Sequence, residues 1–244
     1  MSKISNFGYT KVTTKEKTKL VQKVFSDVAF NYDLMNDVMS FGAHRLWKSK
    51  FIDIVNPSYN DKIIDVGSGS GDLVLEIQKK QFEGKIDVVD LNQEMLNEGK
   101  KRINKKNVNF YLQNAENLSF EDNSYDKYII SFCLRNITNI NKSIKEAFRI
   151  LKPGGQYYCL EFGKPNSYPI SNAYSYYKSN FIPFFGKIFS NNHNAYNYLN
   201  ESIDMFPSQE ALKKRIENVG FESVKFINLF DGIVCIHTGF KNKI

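Results

Sequence analysis

The chain has 244 residues, 42% of them hydrophobic and 14% aromatic, enough for one sizeable core with appendages. Its formal net charge of +7 comes from scattered lysines, and the densest basic stretch, Lys100 to Lys106, is broken by Ile103 and Asn104; this reads as a solvated face and argues against a nucleic-acid partner. Cys133, Cys159 and Cys235 share no short spacing with one another or with the histidines, which argues against a metal site or a disulfide framework, and no apolar run is long enough to cross a bilayer.

The N-terminal stretch has no apolar h-region, carries Glu16 and Asp27, and has no arginine before Arg45, so the expected setting is the bacterial cytoplasm. Residues 1–60 are expected to form a helical cap, with amphipathic stretches at 14–27 and 43–55. Residues 61–165 alternate short apolar runs with helical stretches, the pattern of a parallel sheet built from βα units. Strands are expected at 62–66, 85–90, 109–113, 125–132 and 156–162, and helices at 71–80, 92–104 and 141–151. Lys152-Pro153-Gly154-Gly155 predicts a turn. An aromatic-rich insertion spans 166–200, and 201–244 holds a helix at 208–219 and two strands at 223–229 and 232–238. The predicted class is α/β: one domain with a Rossmann-like, mostly parallel doubly wound sheet, a C-terminal antiparallel hairpin and the N-terminal cap.

The sharpest local signal is Asp65-Val66-Gly67-Ser68-Gly69-Ser70-Gly71-Asp72, which follows an apolar strand and opens a helix. Gly67 and Gly69 let the backbone approach a ligand at the carboxyl end of the sheet, where open α/β folds bind cofactors. A dinucleotide fingerprint would place its third glycine at Asp72. A carboxylate there suits a sulfonium or amino group better than a pyrophosphate, which points to S-adenosylmethionine. Asp90, closing the second strand, is placed to accept from ribose hydroxyls, and Asn114-Ala115 after the third strand is placed to read an adenine. No N-P-P-Y-type motif follows the fourth strand, which argues against methylation of amino groups on bases.

Two stretches narrow the reading. Tyr32-Asp33-Leu34-Met35-Asn36-Asp37-Val38-Met39-Ser40-Phe41-Gly42-Ala43-His44-Arg45-Leu46-Trp47 resembles, at every fixed position, a signature of the ubiquinone/menaquinone C-methyltransferase family. Arg149 to Gly155, with Glu161-Phe162 beyond it, resembles the second signature of that family. Ser70 stands where many members have Thr, and Cys133 where Gly is usual. The resemblance implies a class I S-adenosylmethionine-dependent methyltransferase that methylates a ring carbon of a prenylated benzoquinol or naphthoquinol, as in 2-methoxy-6-polyprenyl-1,4-benzoquinol methylase or demethylmenaquinone methyltransferase. It implies cofactor contacts from Ser70, Asp90, Asn114, Ala115 and Ser131, beside Asp65, Gly67 and Gly69 of the glycine loop.

A ring carbon becomes a competent nucleophile when an adjacent hydroxyl loses its proton, so such a site needs a proton acceptor and a group that stabilises the oxyanion. Arg135 is the first candidate for the second task, with Asn136 holding the same oxygen; its alternative is a structural ion pair with a carboxylate. His44 is a candidate base, oriented by Tyr32 and Asp33. The aromatic run 174–189, flanked by Lys178 and Lys187, is expected to be a lid that takes the isoprenoid tail and touches the inner membrane peripherally. A quinone-biosynthesis enzyme assembly is a further candidate partner. The rival readings are a small-molecule or RNA methyltransferase of the same fold and a non-catalytic scaffold that binds the cofactor or lipid.

Overall fold

The computed structural model describes the backbone of residues 4–189 and 193–243, and the side chains of all of these except 31, 178–179, 181–189 and 193–195. The chain opens on a two-stranded hairpin, β1 (Ile4–Phe7) and β2 (Thr10–Thr13), followed by α1 (Thr14–Val28), α2 (Tyr32–Ser40) and α3 (Ala43–Val55). The cap expected to be helical therefore begins with strands. Its short segments, largely polar and with no buried residue, lack the apolar run by which a strand is usually recognised. Helix α1 starts where it does because Thr13 and Glu16 form a capping box, each accepting a hydrogen bond from the other's backbone N–H at 3.2 Å.

The central units follow as β3 (Lys62–Val66), α4 (Asp72–Gln78), β4 (Lys85–Asp90), α5 (Gln93–Arg102), β5 (Val108–Leu112), β6 (Tyr125–Ser131), α6 (Ile140–Ile150) and β7 (Leu151–Phe162). The insertion folds as α7 (Tyr168–Phe189) and α8 (His193–Met205), and α9 (Gln209–Glu217), β8 (Glu222–Leu229) and β9 (Val234–Phe240) close the chain. The seven strands are ordered β5-β4-β3-β6-β7-β9-β8, with β3 to β7 mutually parallel and β9 antiparallel to both neighbours. This is the doubly wound sheet and terminal hairpin expected from the pattern.

Successive apolar residues on the inner strands face opposite sides, which is why those strands read as continuous apolar runs. Ile63, Val88 and Ile129 pack with Phe51, Ile52 and Val55 of α3 and with α4 on one face. Ile64, Val89 and Ile130 pack with Ile144, Ala147 and Ile150 of α6 and with α9 on the other. Each fully buried Ile or Val contributes about 1.5–3 kcal/mol. The predicted turn at 152–155 is taken up inside β7: pairing with β6 shifts register between Tyr125 and Lys127, and Gly154 adopts φ +81°. The proline and glycines thus make a bulge in a long strand rather than ending it.

Candidate active site

The order reverses between β3 and β6, and the site lies where these strands end. Beyond Val66 the chain stays tied to β4, with the Gly67 and Ser68 N–H groups both donating to the Val89 carbonyl. Gly67, Gly69 and Gly71 have φ of +66°, +59° and +84°, a region that L side chains rarely enter. A Cβ at Gly67 would collide with Cys133 Sγ, whereas one at Gly69 would meet nothing nearer than Tyr32 at 3.9 Å. Gly67→Ala is therefore expected to weaken cofactor binding and to be partly rescued by Cys133→Gly, while Gly69→Ala shows no such rescue. Calorimetric titration of the four variants checks this, and equal affinities with and without Cys133→Gly refute it.

The loop edges a cleft of about 790 Å³, open mouth included, whose lining includes Gly67, Gly69, Asp90, Asn114, Ala115 and Glu116. Asp90 accepts from Gly69 N–H and Asn92 N–H, both at 2.9 Å, and burial pushes its carboxyl up, the backbone donors opposing the shift. Asn114 closes a turn by accepting from Glu116 N–H at 2.9 Å. Among the described lining residues there are two carboxylates and no Lys or Arg. That donor set fits a cationic ligand without phosphate.

Asp72 carries none of this discrimination. It lies outside the cleft lining, bound to Lys48 at 2.6 Å and Arg102 at 2.9 Å. Burial works to raise its carboxyl, but the two cations outweigh it and hold it below the ordinary value. The charge argument drawn from Asp72 thus passes to Asp90 and Glu116.

Three expected cofactor residues also sit outside the lining. Ser70 is buried, donating to Asp33 at 3.2 Å and accepting from Arg102 at 2.8 Å. Asp65 is fully buried and accepts from the Ser68 hydroxyl, and burial raises its carboxyl to about 7. Its Oδ1 has no partner. Ser131 ends β6, half-buried. These residues shape the loop and the strand end from behind.

A second cavity, about 1440 Å³ with its mouth, lies between α2, α3, α7 and α8 and is mostly apolar. Trp47, Phe162, Tyr174, Leu199 and Ile203 contribute to its wall, and exposed Phe41 and Phe230 stand at its rim. Arg135 lines it from a short 3-10 turn, Leu134–Asn136. Its Nη1 donates to Glu161 at 2.7 Å and to the Phe132 carbonyl at 2.6 Å, so the ion pair foreseen for it exists while the residue still faces the cavity. Asn136 lines the cofactor cleft instead, accepting from the Tyr198 hydroxyl at 3.0 Å.

His44 also lines the apolar cavity, but Asp37 holds it, at 2.8 Å, in place of the expected Tyr32 and Asp33. Burial, helped by Lys48, lowers its pKa against the pull of Asp37, and its Nδ1 is buried without a partner. Of the lid's flanking lysines, Lys178 and Lys187 lie outside the described side chains. The sequence reading missed Glu161 as the partner of Arg135, and Tyr32 and Phe132 as the two described residues that line both cavities. Only the unusual φ of Phe132, +50°, marks it out, and no sequence signal carries that.

A family model for the ubiE/COQ5 methyltransferase family matches residues 11–241. The "Ubiquinone/menaquinone biosynthesis C-methyltransferase UbiE" of Rickettsia bellii (strain OSU 85-389) is 47% identical over 245 residues, covering 97% of this chain and 98% of that relative. The protein of the same name from Rickettsia prowazekii (strain Madrid E) is 46% identical with the same coverage. Among solved structures, a SAM-dependent methyltransferase from Thermotoga maritima superposes with a TM-score of 0.68 at 20% identity, over 91% of this chain and all of that one. Phosphoethanolamine N-methyltransferase 2 of Haemonchus contortus, in complex with S-adenosyl-L-methionine, gives 0.62 at 15% identity over 82% and 53%. At these identities the structural likeness establishes a shared fold.

Proposed function

Because the chain belongs to the ubiE/COQ5 methyltransferase family, we propose that it is an S-adenosylmethionine-dependent C-methyltransferase acting on a ring carbon of a prenylated quinol in ubiquinone and/or menaquinone biosynthesis. The observation that carries this reading is the pairing of two unlike spaces: a cleft with two carboxylates and no Lys or Arg among its described lining residues, and a large apolar cavity that meets it at Tyr32 and Phe132.

S-adenosylmethionine, when bound, supplies an electrophilic methyl group. Gly67, Gly69, Asp90, Asn114 and Ala115 would hold it directly, with Asp65, Ser70 and Ser131 supporting the loop and strand ends. The chain's own task is to align the ring, activate it and exclude water. Trp47, Phe132 and Phe162 supply flat apolar surface for a ring. Arg135 stabilises the ring oxyanion, and Asn136 holds the neighbouring turn. His44 is our candidate acceptor of the hydroxyl proton: with Nε2–H donated to Asp37, Nδ1 keeps a lone pair and the lowered pKa favours the neutral ring, but Nδ1 is buried, so the side chain has to shift for it to meet the hydroxyl.

The isoprenoid tail leaves the cavity beneath α7 and past Phe41 and Phe230. These exposed rings suit peripheral contact with a lipid surface. No helix among the described residues is long and apolar enough to cross a membrane.

The test is anaerobic methyl transfer from labelled S-adenosylmethionine to demethylated benzoquinol and naphthoquinol acceptors, each offered reduced and oxidised, with long and short tails. Product is expected from the reduced acceptors alone, and Phe41→Ser with Phe230→Ser is expected to raise KM for long-tailed acceptors in vesicles and spare short-tailed ones. A chain that binds the cofactor yet methylates no reduced acceptor refutes the reading.

A further inference from the structure

We infer that Glu161 is a positioning residue: it clamps Arg135 through Nη1 so that the other terminal nitrogen, Nη2, is left to meet the ring oxygen. This rests on the quinol reading above. Glu161 is the last residue but one of β7 and is 1% exposed, so its charge has little contact with water. One carboxylate oxygen accepts from Arg135 Nη1 at 2.7 Å and from Phe162 N–H at 2.9 Å. The other accepts from the Arg135 backbone N–H at 3.2 Å. A single side chain therefore fixes both ends of Arg135, while the Phe162 ring lies 5.1 Å from the guanidinium carbon.

What the clamp leaves over is informative. Nη1 is shared between Glu161 and the Phe132 carbonyl, which Phe132 presents from a left-handed conformation with φ +50°. Nε is buried out of a ligand's reach, whereas Nη2 takes part in no hydrogen bond among the described residues. A donor on a charged group gains most from an acceptor where water is scarce, and the side chain lies against the apolar cavity. The cavity wall is mostly apolar, and the partner we assign to Nη2 is an oxygen that arrives with the ligand. A developing ring oxyanion is the strongest acceptor that a quinol can bring.

The role can be separated from simple packing. Glu161→Gln keeps the volume and acceptor oxygen but loosens the clamp, and is expected to lower kcat by about 10²-fold while leaving KM for S-adenosylmethionine unchanged. Because that variant leaves a buried cation unpaired, a second measurement uses Arg135→Ala. Free guanidinium chloride is expected to restore part of its methyl transfer, and to restore far less in Arg135→Ala/Glu161→Gln, where no carboxylate holds the added ion; no rescue in either background also counts against the clamp. Equal rescue in both backgrounds, or wild-type kcat in Glu161→Gln, overturns the inference. A wild type that methylates no reduced quinol removes the functional reading itself, and this inference with it.

Discussion

Arg135→Ala is expected to reduce kcat by about 10²–10³-fold, the usual effect of deleting one oxyanion-stabilising donor, with cofactor affinity intact. Intact affinity is expected because Arg135 lies outside the cofactor cleft, whose lining comes from the glycine loop, Asp90 and Asn114. The same change strands Glu161, which would be a buried carboxylate with no cation, at a cost of about 3–5 kcal/mol in stability. Arg135→Ala/Glu161→Gln removes that charge, so it should recover stability and remain slow. Urea denaturation and single-turnover methyl transfer on the three proteins check both halves. A stable Arg135→Ala with near-wild-type turnover would return the residue to a bystander's role.

Asp65→Asn is expected to stabilise the cofactor-free protein, increasingly so as pH rises from 4 to 7. Burial lifts the Asp65 carboxyl from its ordinary 3.8 to about 7 in the folded chain, with Asp90 pushing the same way and the Ser68 hydroxyl and Lys48 opposing. The folded state therefore holds this proton more tightly than the unfolded state. Its stabilising contribution is complete below pH 4, declines as pH rises through about 7, and stays lost above that. Three pKa units correspond to a penalty of about 4 kcal/mol that the wild type carries at pH 8 and the amide does not. Asn can still accept from Ser68, so the loop keeps that bond. Urea midpoints at pH 4.5 and 8 decide the matter: a variant less stable than wild type at pH 8 contradicts it.

The sheet was legible because its inner strands are apolar on both faces. Runs such as Ile63-Ile64 and Val88-Val89 send consecutive side chains into opposite cores, and few other arrangements bury both. The glycine loop was legible because positive φ at three close positions demands glycine. The N-terminal hairpin was not, since its hold on the fold is long-range: Phe7 stacks on Tyr198, and Tyr9 bonds to Glu201 and Asp204. Sequence spacing likewise could not say which carboxylate meets which cation. Asp72 went to Lys48 and Arg102 rather than to the cleft, and Asp37 rather than Asp33 took His44. Glu161 is a neighbour of Arg135 only because β6 and β7 run side by side, which brings residues far apart in the chain to one end of the sheet.

The partition formed by Tyr32 and Phe132 bears on the order of events in a catalytic cycle. On the proposed function, a polar cofactor and an apolar acceptor would lie in cavities with different linings that open on each other beside these two aromatic side chains. Neither has to pass through the other's compartment to come or go. On that reading the spent nucleoside would be exchanged from its own cleft while the isoprenoid stays seated. Steady-state kinetics should then follow a random sequential scheme, in which each ligand binds with the other already present.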